Sequence, residues 1–165
     1  MFALKSAAAA TQSERYSELA AQARALLEGE RDATANAANL ASLIFHSLPE
    51  LNWAGFYWMK DGGLVLGPFQ GKPACVRIAI GRGVCGTAAR DRTTIVVPDV
   101  NAFPGHIACD SASASELVVP VIKAGVLHGV LDLDSPARAR FDESDARGLE
   151  AVVAIFVAAT DLERR

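Results

Sequence analysis

The chain has 165 residues, enough for one domain whose hydrophobic core needs no covalent staples. Hydrophobic residues make up 51% of it and the mean hydropathy is +0.21, which excludes a disordered tail and describes a compact globular protein. Lys and Arg number 16 against 19 Asp and Glu, a net charge of −3, and this balance argues against a nucleic-acid partner or an anionic membrane surface.

The opening Met1-Phe2-Ala3-Leu4-Lys5 does not read as a secretory signal, because its lysine interrupts the apolar residues instead of preceding them; a cytoplasmic location is the default expectation. Thr11-Gln12-Ser13-Glu14 has the form of a capping box, a hydroxyl with a carboxylate three residues on. Behind it Tyr16, Leu19, Ala20, Ala23, Leu26 and Leu27 recur at helical spacing until Gly29. A second helix is predicted from Asp32 or Thr34 to Leu48, with Leu40, Leu43, Ile44 and Leu48 on one face and Pro49 closing it. Each helix carries a single apolar stripe, the pattern of a helix lying on a sheet.

Strands are predicted at 53–59 and 64–69, flanking the hairpin turn Lys60-Asp61-Gly62-Gly63. Trp53 and Tyr57 share parity and so point to one face. A strand at 76–80 precedes Gly81-Arg82-Gly83-Val84-Cys85-Gly86, which opens a short helix reaching about Arg90. The glycines match G-x-G-x-x-G, yet no lysine follows and no βαβ repeat surrounds them, so nucleotide binding is not expected. After a short strand at 93–97 comes a long loop from Pro98 to about Ala114, a length at which loops in compact domains tend to be functional or disordered. A hairpin is predicted at 116–121 and 126–133 around Lys123-Ala124-Gly125, and a last helix from Asp142 with Leu149, Val152, Val153 and Phe156 buried. Its apolar run, 151–159, stops at Thr160, short of the roughly 20 residues of a membrane span. The order predicts an α+β fold over residues 1–165, an antiparallel sheet with helices packed on one face.

Chemistry-bearing residues fall in two groups. The three cysteines, Cys75, Cys85 and Cys109, are odd in number and include no C-x-x-C, so a structural disulfide framework is not expected. Zinc would need a histidine, and His46, His106 and His128 are available. The 9 and 23 residues between the cysteines give no close ligand pair, however, and no metal is expected. Cys109 lies in the long loop, in Pro104-Gly105-His106-Ile107-Ala108-Cys109-Asp110; taken alone it is accounted for equally by core packing and by chemistry. The second group is acidic. Along residues 126–134, Leu127, Gly129, Leu131 and Leu133 share one strand face, and His128, Val130, Asp132 and Asp134 the other. Carboxylates two residues apart on a strand stand about 7 Å from one another and repel unless a cation or water intervenes. A solvated strand end would satisfy them, but Glu116 on the hairpin partner makes three acids near one sheet end. With Trp53 and Tyr57 in the same sheet they could grip a small ligand bearing a cation, such as an α-amino group. Ordinary core packing is the competing account of the two aromatics.

Several stretches together resemble the free methionine-(R)-sulfoxide reductases, a family of single GAF domains: Asn52-Trp53-Ala54-Gly55-Phe56-Tyr57, Leu66-Gly67-Pro68-Phe69-Gln70-Gly71-Lys72-Pro73-Ala74-Cys75, Arg77-Ile78, Gly81-x-Gly83-Val84-Cys85-Gly86, Pro98-Asp99-Val100, the Pro104 to Asp110 loop, Ser113-x-Ser115-Glu116 and Leu131-Asp132-Leu133-Asp134-Ser135. The resemblance implies reduction of the R epimer of free methionine sulfoxide, with Cys109 as attacking thiol, Cys75 as resolving thiol and Cys85 as an auxiliary one. It also implies that Glu116, Asp132 and Asp134 hold the substrate and polarise its S–O bond, that Trp53 and Tyr57 cover the S-methyl group, and that thioredoxin regenerates the enzyme without bound cofactor or metal. His106 or loop amides would offset the acids' field at the Cys109 thiolate. Many such enzymes are dimers; this sequence leaves the oligomeric state open. GAF domains also serve as sensory modules that bind small ligands without catalysis, which is the alternative.

Overall fold

In the computed structural model, residues 11–105 and 111–164 are described. Helix α1 (Gln12–Leu26) begins at the capping box: the Thr11 hydroxyl accepts from the Glu14 amide, and the Glu14 carboxylate accepts from the Thr11 amide at 2.8 Å. Helix α2 (Ala33–Ser47) is capped by Asp32, which accepts from the Ala35 amide. The strands are β1 (Trp53–Lys60), β2 (Gly63–Gly71), β3 (Arg77–Ala79), β4 (Ile95–Val97), β5 (Ser115–Lys123) and β6 (Val126–Ser135), with the short helix α3 (Gly83–Asp91) between β3 and β4. Helix α4 (Glu143–Ala159) starts at a second reciprocal cap, between Asp142 and Asp145. Asp145 also accepts from the Tyr16 hydroxyl at 2.7 Å, which fastens α1 to α4, and pairs with partly buried Arg140.

All neighbouring strands are antiparallel, in the order β3-β2-β1-β6-β5-β4. Alternation along β1, β5 and β6 divides the side chains cleanly. Ala54 and Phe56, Leu117, Val119 and Val121, and Leu131 and Leu133 face α1, α2 and α4 in the larger core. Trp53, Tyr57, Val118 and Val130 face the other way, with Val84, Cys85, Ala88 and Ala89 of α3. The predicted α+β layout therefore holds, its three long helices on one face. The short fourth helix stands on the opposite face and roofs one end of the sheet.

Two details depart from simple alternation. Val121 pairs with Gly129 and Ile122 with Leu127, so His128 is an extra, bulged residue and the phase reverses beyond it. Leu127 consequently packs against the second core instead of joining Leu131 and Leu133, and the predicted facing holds from Gly129 to Asp134. The long loop is also more structured at its start than its composition suggested. Val100–Ala102 form a 3-10 turn, Val100 is buried, and its amide donates to the Ala114 carbonyl at 3.0 Å. Among the described residues no helix is long and apolar enough to cross a membrane.

Candidate active site

A cleft opens on the α3 face, lined by Trp53 and Tyr57 of β1, Pro73 and Ala74 of the β2–β3 segment, the start of α3 from Arg82 to Cys85, and Ser113, Glu116, Asp132 and Asp134. The strand register assembles the acids. Glu116 stands opposite Asp134, while Asp132 lies opposite Val118 on β5 and opposite Gly55 on β1. Gly55 cannot be larger: a Cβ there would come within 2.3 Å of Phe69 Cβ and 2.6 Å of the Trp53 ring. Its bareness lets Trp53 stack between Phe69 and Tyr57, at centroid distances of 5.3 and 5.8 Å.

The α3 wall depends on its glycines. Gly81 and Gly83 have φ of +80° and +60°, and a Cβ on Gly86 would meet the Ala79 carbonyl oxygen at 2.3 Å. The G-x-G-x-x-G spacing thus encodes a tight strand-to-helix turn that presents Cys85 to the acids. Cys85 is 3% exposed and a free thiol, and its Sγ donates to Glu116 Oε1 at 3.9 Å. Burial, then the charges of Asp132 and Glu116, holds this thiol well above its ordinary range. Glu116 is itself raised well above the usual carboxylate range by burial and by Asp132 and Asp134, and burial pushes Asp132 up to about 7. The buried acids therefore hold a proton between them near neutrality. Asp132 Oδ1 is buried and finds no hydrogen-bond partner among the described residues.

Cys85, Glu116 and Asp132 place one ligand atom each within 4.8 Å of the others, the one such group among the described residues spaced to seat a cation; His46 and His128 are not in it. Its spacing suits a metal better than its charge does. A cation would have to displace the protons held by the thiol and the acid pair.

Cys75 sits at the opposite lip and is disulfide-bonded. Trp53 Nε1 donates to the Lys72 carbonyl at 3.2 Å and the Tyr57 hydroxyl to the Cys75 carbonyl at 3.0 Å. Of the residues singled out from sequence, Trp53, Tyr57, Cys85, Glu116, Asp132 and Asp134 meet in the cleft, and Cys75 borders it. Cys109 and His106 lie outside the described residues. Sequence reasoning missed Arg82, an exposed cation on the cleft wall; its position between two glycines at a helix start was the available signal. It also missed Asn52, whose amide nitrogen donates to Ser113 Oγ at 3.1 Å and whose backbone N–H donates to the Asp134 carbonyl.

The sequence profile of the GAF domain matches residues 34–161. Protein YtsP of Bacillus subtilis (strain 168) is 59% identical over 81% of this chain and 83% of its own length. Free methionine-R-sulfoxide reductase of Escherichia coli (strain K12) is 49% identical over 86% of each chain. The X-ray structure of free methionine-R-sulfoxide reductase from Neisseria meningitidis, in complex with its substrate, superposes with a TM-score of 0.92 at 43% identity, covering 96% of this chain and 95% of that one.

Proposed function

Because the chain belongs to the GAF-domain family that includes the free methionine-R-sulfoxide reductases, we propose that it reduces free L-methionine-(R)-sulfoxide to L-methionine, as one GAF unit spanning residues 1–165. The observation that carries this reading is the acid pair Glu116–Asp132, both carboxyls raised by burial and one Asp132 oxygen without a partner among the described residues, buried at the back of a cleft whose other wall is aromatic. A sulfoxide oxygen needs a proton as its sulfur is attacked, and a buried carboxyl still protonated near pH 7 is suited to supply it. Asp134, partly exposed nearer the mouth, presents negative charge to the substrate ammonium. Trp53 and Tyr57 enclose the S-methyl group, and Arg82 faces the carboxylate. A methionine sulfoxide within a peptide has lost both charged ends, so such a pocket selects the free amino acid.

The thiol chemistry runs in balanced steps. Cys109 as thiolate attacks the sulfoxide sulfur, the oxygen passes to the cysteine as a sulfenic acid, and methionine leaves, its sulfur reduced by two electrons and the cysteine's oxidised by two. The Cys75 thiol condenses with the sulfenic acid, releasing water and forming a disulfide. An external dithiol, thioredoxin by family resemblance, then exchanges with that disulfide. Support for Cys75 in this role is its place at the cleft lip and its disulfide-bonded state. Cys85, buried and held protonated, serves the acids as a hydrogen-bond donor in this scheme.

The test is methionine formation from the pure R epimer with thioredoxin, its reductase and NADPH. Wild-type enzyme turns over repeatedly, Cys109→Ser forms no methionine, and Cys75→Ser stops after one methionine per chain. A wild-type protein that binds the sulfoxide without reducing it would leave a ligand-sensing GAF module and defeat the proposal; a fully active Cys109→Ser variant would defeat the role of Cys109 as the attacking thiol.

A further inference from the structure

The residues that carry Cys75 form an exposed connection with neither helix nor strand. The chain leaves β2 at Gly71, passes Lys72, Pro73 and Ala74, and re-enters the sheet at β3. A thiol on such a segment would sample many positions, and a disulfide needs its sulfurs about 2 Å apart with a defined torsion. The segment is nevertheless anchored to the active-site floor. Trp53 donates its indole N–H to the Lys72 carbonyl and Tyr57 its hydroxyl to the Cys75 carbonyl, while the Leu66 amide donates to Val76. At the near end, Gly71 (φ +123°) passes so close that a Cβ would meet Asn52 O at 2.6 Å and Trp53 Cδ1 at 2.8 Å. Both aromatic donors are themselves rigid: Trp53 is 3% and Tyr57 2% exposed, and their rings stack on each other.

Buried Tyr and Trp generally find some partner for their polar atoms. What is particular here is that both choose carbonyls of the one short segment bearing Cys75, and that both rings also line the acid-floored cleft. We infer that Tyr57, with Trp53, is a positioning residue for disulfide formation: its ring walls the pocket, and its hydroxyl holds the Cys75 backbone where the thiol can meet the sulfenic acid. The inference rests on the proposed reductase reading. It divides that reaction into a first stage, methionine release, which needs the ring, and a second stage, disulfide closure, which needs the hydroxyl.

Single turnovers without external reductant separate the stages. Methionine release is followed by rapid quench, and sulfenic acid is followed as its adduct with a 1,3-dione trap, for wild type, Tyr57→Phe and Cys75→Ser. Losing one net hydrogen bond of about 1 kcal/mol should slow disulfide closure about fivefold relative to methionine release and lengthen the sulfenic acid's lifetime to match. Cys75→Ser marks the limit in which the sulfenic acid never closes. A sulfenic acid lifetime in Tyr57→Phe equal to that of wild type overturns the inference. So does an equal slowing of both stages, the mark of general damage to the pocket. Wild-type protein that releases no methionine overturns the reductase reading itself, and the inference with it.

Discussion

Asp132 concentrates the physics of the site in one side chain. Its unfolded form titrates near the ordinary aspartate value of about 3.9, whereas burial raises the folded form to about 7. Between those values the folded protein keeps a proton the unfolded chain has released, so this group's contribution to stability is full below the lower pH and falls as pH rises through the upper one. Asp132→Asn should remove that slope. Measured by urea unfolding, the variant's stability relative to wild type should rise between pH 4 and pH 8, by at most about 1.4 kcal/mol per pH unit for the one proton; a difference that stays flat contradicts the assignment. The same variant should lose methionine sulfoxide turnover by about 10²-fold or more, because it breaks the proton-sharing acid pair proposed to protonate the sulfoxide oxygen. Much of this was readable in the residues themselves. Parity put Asp132 and Asp134 on one face, and the hairpin brought Glu116 beside them. The phase reversal at His128 was not readable, because a bulge is set by pairing between strands and leaves no mark in one strand's alternation. Nor was the choice of the Lys72 and Cys75 carbonyls as acceptors for Trp53 and Tyr57, since a backbone carbonyl carries no sequence identity.

Among the elements, the caps and the α3 turn are the most local in origin and were the most legible. Thr11 and Asp142 each begin a helix as their capping patterns require. Thr11→Ala should cost about 1 kcal/mol of stability and leave turnover untouched. Gly86→Ala should behave differently. Its new Cβ would press on the Ala79 carbonyl at 2.3 Å, forcing β3 and α3 apart at a cost of about 1–3 kcal/mol. Because Cys85 is the preceding residue, the same displacement should pull the thiol from Glu116 and lower activity along with thermal stability. Thermal scans and turnover assays on the two variants check the contrast, and parallel losses of activity in both would refute it. The short strands β3 and β4 came out narrower than predicted, at 77–79 and 95–97 against 76–80 and 93–97. Both are edge strands, where pairing on one side alone sets the ends and apolar composition overestimates them.

For the molecule as a whole, the sheet separates two tasks. One face is a conventional core, closed by α1, α2 and α4 and fastened by the Tyr16–Asp145–Arg140 cluster. The other supports a cleft that keeps two acids and a thiol buried, with raised pKa values, and two aromatics in register with the Cys75 segment. Helix stripes and strand alternation announced the first face. The second was visible as residue types with matching parity, but the side of the sheet that α3 would roof depended on a glycine turn whose direction only the tertiary contacts fix. The cleft is proposed to act on a free amino acid with both charged ends intact. This is tested most directly by comparing kcat/KM for free methionine-(R)-sulfoxide, its S epimer, and N-acetylmethionine-(R)-sulfoxide amide, with thioredoxin as reductant. The free R epimer alone should turn over at an appreciable rate, the blocked and S forms falling by about 10²-fold or more, roughly the cost of leaving a buried charge or polar group unpaired. Comparable rates for the free and blocked R sulfoxides would contradict the proposal.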